Sequence, residues 1–415
     1  MSMPSLDEFL RDPHPFFHRA RAASPVMRTE LFGIDGWLVT GFEETEAILK
    51  DGRFAKDQWR LRGEDHPPDF PARFVGAYRT VTRMILFQDP PAHTRMRQLV
   101  VKAFAPTMAS KLRPEIERAC HALLDARAGE TVHELIGDFA SPLPVGVIAA
   151  LLGVPEKDGE LFRRWSAEFV RLIDLTADPE TWERAGAAIA EFEEYILALV
   201  DEKRARPCDD LLSALGAVEE QGEKLTLDEL VSTCMVLLIA GHETTTNLIG
   251  NGYVRLLQHP EQYAALAGDP TLMAGAIEEM LRFDPPGLIT SRWPSEDLTF
   301  RGHQMRRGEI VMLAIGAANR DPRVVGNPDV FDIRRKPNRH LSFGSGIHYC
   351  LGASLGRLET EVAVRTLMAR LETPELAAEP LPRTSVVIHG FERLDVRASV
   401  APSPYPREPR PHVHV

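Results

Sequence analysis

Between Thr226 and Pro260 apolar residues recur with a 3.6-residue period and no interruption, the longest helical pattern in the chain. Its start is written in Thr226-Leu227-Asp228-Glu229, a capping box in which hydroxyl and carboxylate exchange bonds with free backbone NH groups. Its end is His259-Pro260, where the ring removes a donor and blocks the next turn. Roughly 32 residues at ~1.5 Å each make a rod of about 48 Å, long enough to cross the whole molecule.

Most of the chain conforms to that rod. From about 93 to 283 the helical period dominates, including a shorter helix with Asp269 as N-cap, Pro270 at its first position and an end before Pro285-Pro286. Val26–Leu31 and 37–40 flank Gly33-Ile34-Asp35-Gly36 and predict a hairpin, followed by a helix over 43–50. After residue 285 short β-like runs (298–301, 310–315, 384–398) alternate with Pro and Gly, interrupted by one helix at 351–371. The tail 401–415 carries five prolines and reads as a loosely held end. The fold class is mainly α with small sheets (α+β). The 415 residues suit two or three ordinary domains or one large one, and 44% hydrophobic with 26% charged residues fits a soluble globular chain.

Net charge −12 without basic blocks argues against a nucleic-acid partner. Cys120, Cys208, Cys234 and Cys350 form no CxxC pair, so the expectation is a reducing compartment. The N-terminus has neither a signal nor a transit pattern, and the longest apolar runs, such as 235–241, are too short to span a bilayer. A cytoplasmic protein without a membrane anchor is expected.

The chemistry concentrates in Phe343-Gly344-Ser345-Gly346-Ile347-His348-Tyr349-Cys350-Leu351-Gly352. Two glycines allow close approach and backbone conformations that a Cβ blocks. Cys350 falls at the predicted start of the 351–371 helix, where free NH groups and the dipole favour a thiolate able to bind iron. On the residues alone, a buried inert cysteine, a phosphate-binding glycine loop and a cysteine hydrolase stay open. The second lacks the Lys-Ser/Thr ending of a phosphate loop, and the third names no base.

These ten residues resemble the haem-binding signature of the cytochrome P450 family at every specified position, and the resemblance extends over nearly the whole chain. It implies a single large, triangular α+β domain over 1–400 with a long central helix, of the soluble bacterial type. It also implies haem b with Cys350 as axial thiolate. The family activity is monooxygenation: O2 is activated with electrons from a redox partner, here a ferredoxin or flavodoxin with its reductase, and a small molecule is hydroxylated or epoxidised. A monomer is expected.

Midway along the rod stands Ala240-Gly241-His242-Glu243-Thr244-Thr245. Carboxylate and hydroxyls are costly in an apolar helix unless paired or functional. Threonine back-bonding beside Gly241 is expected to bend the helix and open a groove. Heterolytic O–O cleavage takes two protons, which a hydroxyl with an acid behind it can relay. The segment is similar to the family's acid–alcohol pair, implying Glu243 and Thr244 as catalytic residues; His242 receives no role. A polar helix kink is the plain alternative. By the same resemblance His93, Arg97, Arg292 and His348 hold the haem propionates, and Arg95 is a surface charge. Glu279 and Arg282, with Arg335 or its neighbour Arg334, form a structural triad. The substrate pocket is expected at Phe70, Phe74, Ile85, Leu86, Phe169, Leu237, Leu288, Ile289 and Phe391, with Met84, Leu172, Ile173 and Ile388 alongside. These are apolar and carry no charge cluster, so the substrate is expected to be lipophilic: a fatty acyl chain, terpenoid, steroid or macrolide-like ring. A peroxide-driven peroxygenase and a haem sensor are the rivals, and neither needs the Glu243-Thr244 relay.

Overall fold

The computed structural model describes residues 3–63, 71–103, 106–172, 179–219 and 222–405. The long helix spans Leu227–Gln258, with Thr226 as N-cap and both halves of its capping box formed. It is buried around nearly its whole circumference, from Leu230 to Leu256, which a helix tolerates only in the middle of a large core. The helices Pro142–Leu152, Gly159–Val170, Met273–Phe283 and Ala353–Arg370 pack around it. Gly241 acts here through space. A Cβ would come 2.6 Å from Ile148 Cδ1, so the glycine lets the 142–152 helix close in. Helical structure runs unbroken from 227 to 258.

The helix Ala92–Ala103 reaches the rod's N-terminus through Arg95. Arg95 pairs with Glu229, the acidic member of the capping box, and its Nη1 donates to Lys224 O at 3.1 Å. Arg95, expected as a surface charge, therefore ties two elements together.

Val26–Leu31 and Ile34–Val39 form the expected hairpin, but the turn is Phe32-Gly33. Both take positive φ, +50° and +83°, the pattern of a two-residue turn whose twist matches the strands. Ile34, Asp35 and Gly36 thus belong to the second strand. Val311–Ala314 lies parallel to Ile34–Val39, Ile289–Pro294 antiparallel to Val311–Ala314, and Phe54–Ala55 pairs with Ile289–Pro294 at the far edge. This five-stranded sheet carries its last two strands to the site. A second sheet joins Val132–Glu134, Asp395–Val400 and Leu371–Leu376.

One large apolar cluster surrounds the long helix, a second lies against the five-stranded sheet, and a third buries Phe9, Phe16 and Phe17 on Leu31, Leu38 and Met312. The molecule is mainly helical with small sheets. Beyond the last strand, Ala401 N donates to Arg370 O at 2.7 Å, and the Tyr405 ring lies 5.0 Å from that of His121. Residues 406–415 of the expected tail lie outside the described residues.

Candidate active site

The 343–352 loop folds back on itself. Gly344 N donates to Leu341 O and Cys350 N to Phe343 O, both at 2.8 Å. Gly344 and Gly346 sit at φ +71° and +70°, and a Cβ on Gly346 would strike Leu49 O at 2.5 Å. Only glycine permits this loop to rest against the end of the Phe42–Lys50 helix. The following helix starts at Ala353, not 351, leaving Cys350 just ahead of its first turn. Cys350 keeps exposed surface, while Cys120 and Cys234 are fully buried. Protein packed around Cys350 pushes its thiol above the usual range; the Gly352 backbone NH, Arg97 and Arg357 pull the other way without prevailing. The donors expected to favour a thiolate are present, yet desolvation outweighs them in the protein alone.

Around the loop stands a cluster of bases. His93 is 1% exposed and neither ring nitrogen has a hydrogen-bond partner. The His348 ring lies 4.2 Å away, its Nε2 equally unpartnered. Burial first, then the charges of Arg292, Lys56 and Arg97 with neighbouring His93, drive the His348 pKa down to about 2. Arg97, one turn beyond His93, donates from Nη2 to Tyr349 O at 2.6 Å. Arg292 is buried and its pKa is lowered to about 10 by desolvation. Asp89 joins the elements: its carboxylate accepts from Lys56 N and Asp57 N, and its carbonyl accepts from His93 N. All four expected propionate partners thus converge.

The rod contributes the other half. Thr244 Oγ1 donates to Ala240 O at 2.6 Å. Glu243 is 5% exposed, with Arg383 Nη1 2.8 Å from its Oε2. Burial holds the Glu243 carboxyl above its ordinary range despite that cation. His242 lies between Ser166 Oγ at 2.6 Å and Ser141 Oγ at 3.0 Å, and desolvation lowers its pKa to about 3, keeping it neutral. It links the rod to two neighbouring elements. The thiol and hydroxyl halves meet where Gly356, six residues after Cys350, packs near Thr245 Oγ1.

Beside Thr244 and Glu243 opens a cavity of about 280 Å³. Its rod face includes Val236, Ile239, Ala240 and Glu243, an i, i+3, i+4, i+7 set, with Met235 and Thr244 beside them. Of the expected pocket residues Leu86, Phe169 and Ile289 line it, as do Met84, Leu172 and Ile388. The others go elsewhere. Leu288 turns to the N-terminal cluster, Phe74 is buried close to Gly186, and Ile85, Leu237 and Phe391 pack partly buried on the main core. Phe70 and Ile173 lie outside the described residues. Sequence reasoning missed Val81, Phe87, Met235 and above all Lys56, a cation in an apolar wall. No local pattern marks Lys56; only strand pairing turns it inward.

Beneath the site, Glu279 and Arg282 are entirely buried and joined by two bonds of 2.7 Å. Arg335 Nε reaches both Glu279 oxygens, at 3.2 and 3.1 Å, whereas Arg334 is exposed. Asp332 N and Asn338 Nδ2 complete the carboxylate's partners. The preceding residue, Glu278, accepts from Arg357 and contacts His340, which depress its pKa to about 2. Arg357 in turn stacks over the Phe343 ring at 4.3 Å.

Comparison with known proteins gives the family. The family model described as Cytochrome P450 matches residues 158–387. The biotin biosynthesis cytochrome P450 of Bacillus subtilis (strain 168) is 42% identical over 376 residues, 91% of this chain and 93% of that protein. The polyketide biosynthesis cytochrome P450 PksS of the same organism is 38% identical over 96% of this chain and 99% of its own length. The crystal structure of P450BioI in complex with hexadec-9Z-enoic acid ligated acyl carrier protein superposes with a TM-score of 0.89 at 40% identity, covering 95% of this chain and 100% of that one. Among the described residues no helix is long and apolar enough to cross a membrane.

Proposed function

The chain belongs to the cytochrome P450 family of haem monooxygenases, and from that premise we propose that it inserts one atom of O2 into a lipophilic substrate, using haem b ligated by Cys350. The observation that carries this reading is the cavity in which Thr244 and Glu243 share one wall with an apolar lining. The residues present fit a haem. Three buried imidazole nitrogens of His93 and His348 lack any partner, and two arginines stand with them beside a cysteine that keeps exposed surface.

The haem, when bound, supplies the iron at which O2 is reduced. Cys350 would hold that iron through its sulfur. His93, Arg97, Arg292 and His348 would take the propionates, the arginines as charged donors and the imidazoles as neutral ones. The Thr244 hydroxyl is one bond rotation from exchanging Ala240 O for a group in the cavity. Glu243, its carboxyl held above the ordinary range by burial, is the adjacent proton-relay group for that hydroxyl. Apolar walls exclude water and bury the substrate, worth about 25 cal/mol per Å² covered.

The substrate classes are fatty acyl chains, terpenoids, steroids and macrolide-like rings. The acyl carrier protein complex of P450BioI and the polyketide role in the name of PksS support an acyl or polyketide substrate. Electrons come from a ferredoxin or flavodoxin with its reductase, and the protein works as a cytoplasmic monomer; its four free cysteines suit a reducing compartment. The test is the reduced, CO-bound spectrum. Thiolate ligation gives a strongly red-shifted Soret band, lost in Cys350→His and kept in Cys120→Ser, Cys208→Ser and Cys234→Ser. A normal band from Cys350→His would reject the assignment.

A further inference from the structure

His242 stands beside the acid of the cavity and has no place in the proton relay. The residue is buried, and both ring nitrogens are bonded: Nδ1 lies 2.6 Å from Ser166 Oγ and Nε2 3.0 Å from Ser141 Oγ. The equally buried ring of His93, by contrast, has no hydrogen-bond partner at either nitrogen. Burial, then the charges of Arg383 and Arg163, keep the His242 ring neutral, so one nitrogen donates to a hydroxyl while the other accepts from the second. Glu243 Oε1 is 3.6 Å from Nδ1, beyond hydrogen-bond reach. His242 therefore acts on its neighbour by holding the helix, not by bonding the carboxylate.

The two serines belong to different helices. Ser141 immediately precedes Pro142–Leu152, and Ser166 lies in Gly159–Val170, one turn before Phe169 and Val170, which line the cavity. Successive residues of a helix are turned by about 100°, so His242 and Thr244 point to roughly opposite sides of the rod. Glu243 and Thr244 line the cavity, and His242 does not. The rod is buried around nearly its whole circumference, largely by apolar side chains. Apolar contact is non-directional, so bonds of defined direction are what specify its rotation. The requirement is strict, since displacing a catalytic group by about 1 Å can cost on the order of a hundredfold in rate. We propose that His242 is a positioning residue: its bonds to Ser141 and Ser166 set the rotation of the long helix at Glu243-Thr244 and the distance from that pair to the Phe169 wall. This rests on the monooxygenase reading and adds to it a residue that serves the proton relay from outside the cavity.

The experiment reads the infrared C–O stretch of the reduced, CO-bound, haem-loaded enzyme, which responds to the polar groups facing the ligand and needs no substrate. The parent should give one narrow band. His242→Phe keeps a ring but neither bond, and should broaden or split that band while haem content and the red-shifted Soret band stay. Ser166→Ala, a smaller change, should alter the band in the same direction. His242→Asn, whose amide reaches Ser166 from the Nδ1 position, should recover much of the parent band. In a Glu243→Gln, Thr244→Ala background, His242→Phe should add no further change, because its effect passes through those two side chains. Peroxide released per NADPH should rise severalfold in His242→Phe and fall back in His242→Asn. An unaltered band in both His242→Phe and Ser166→Ala, or an equal change in the doubly substituted background, would overturn the proposal. So would band changes that simply follow falling thermal midpoints in all three variants, which would make the ring part of the scaffold alone. A parent enzyme without the thiolate spectrum would instead refute the monooxygenase reading itself.

Discussion

Arg383, on the segment following the Leu381–Pro382 strand, places its Nη1 2.8 Å from Glu243 Oε2 in the middle of the long helix. Some 140 residues of chain separate the two, and the pair sets the proton affinity of the cavity's acid. Burial raises the Glu243 pKa and Arg383 opposes it. In Arg383→Gln the opposition disappears, so the acid holds its proton to higher pH. The alkaline limb of the coupled turnover profile should move up. A limb that stays in place or moves down would show that Glu243 does not govern it.

Thr244 donates to Ala240 O, a bond that serves the helix as well as it would serve catalysis. The two roles predict different outcomes for Thr244→Ala. As a proton donor, its loss should leave NADPH and O2 consumption in place while hydrogen peroxide replaces product, with product formation falling at least about tenfold. Thr244→Ser should recover much of the coupling. Unchanged coupling in Thr244→Ala, measured as product per NADPH, would reduce the hydroxyl to a helix back-bond.

Glu279 and Arg282 share a site with no water access, and Arg335 closes it. Removing either of the first two strands a buried charge at a cost of roughly 3–5 kcal/mol, a large part of the stability of an ordinary fold. Glu279→Ala and Arg282→Ala should therefore yield little haem-loaded protein, whereas Arg334→Ala, exposed and away from the carboxylate, should behave as the parent. Haem content and thermal midpoint decide. Normal haem content with altered kinetics would move the pair from scaffold to catalysis.

The basic run before the thiol loop divides once it is folded. Arg335 is committed to Glu279, and Arg339 lies over the Phe42 ring and 3.8 Å from Glu46. Arg334 and Lys336 remain exposed on an acidic chain. If they steer an acidic electron donor, electron transfer should slow steeply with added salt. Lys336→Glu should weaken donor binding severalfold while substrate affinity stays constant. Equal effects on both would exclude docking at this patch.

Local rules sufficed wherever the causes were local. The long helix runs from cap to proline as its period and capping box dictate, because those signals act within one turn. The 343–352 loop was legible for a similar reason: two glycines at positive φ and one cysteine, in that order, restrict both the backbone path and the chemistry it can carry. Glu243-Thr244 and His93 with Arg97 stood out as polar groups at helical spacing. Where two local signals competed, tertiary packing chose. Arg334 and Arg335 are equivalent in sequence, and only the fold shows which one reaches Glu279.

The rest depended on distant partners. The hairpin turn slipped to Phe32-Gly33 because strand register selected it. Leu288 and Ile289 are neighbours with the same side-chain chemistry and both join the third apolar cluster, yet only Ile289 also lines the cavity. Gly241 proved to be a packing contact with Ile148, a residue of another helix that the period of its own helix says nothing about. The thiol of Cys350 is raised where its helix position alone argued for lowering, since desolvation is a sum over everything packed nearby. Lys56 follows a two-residue strand with nothing to distinguish it from any surface lysine. The pairing of Ala55 with Trp293 carries it inward beside Arg292, and that pairing spans more than two hundred residues of chain. Periodicity, caps and glycines state what a segment can become on its own; which side chain meets a cavity, a charge or another segment's backbone is decided only when the segments pack.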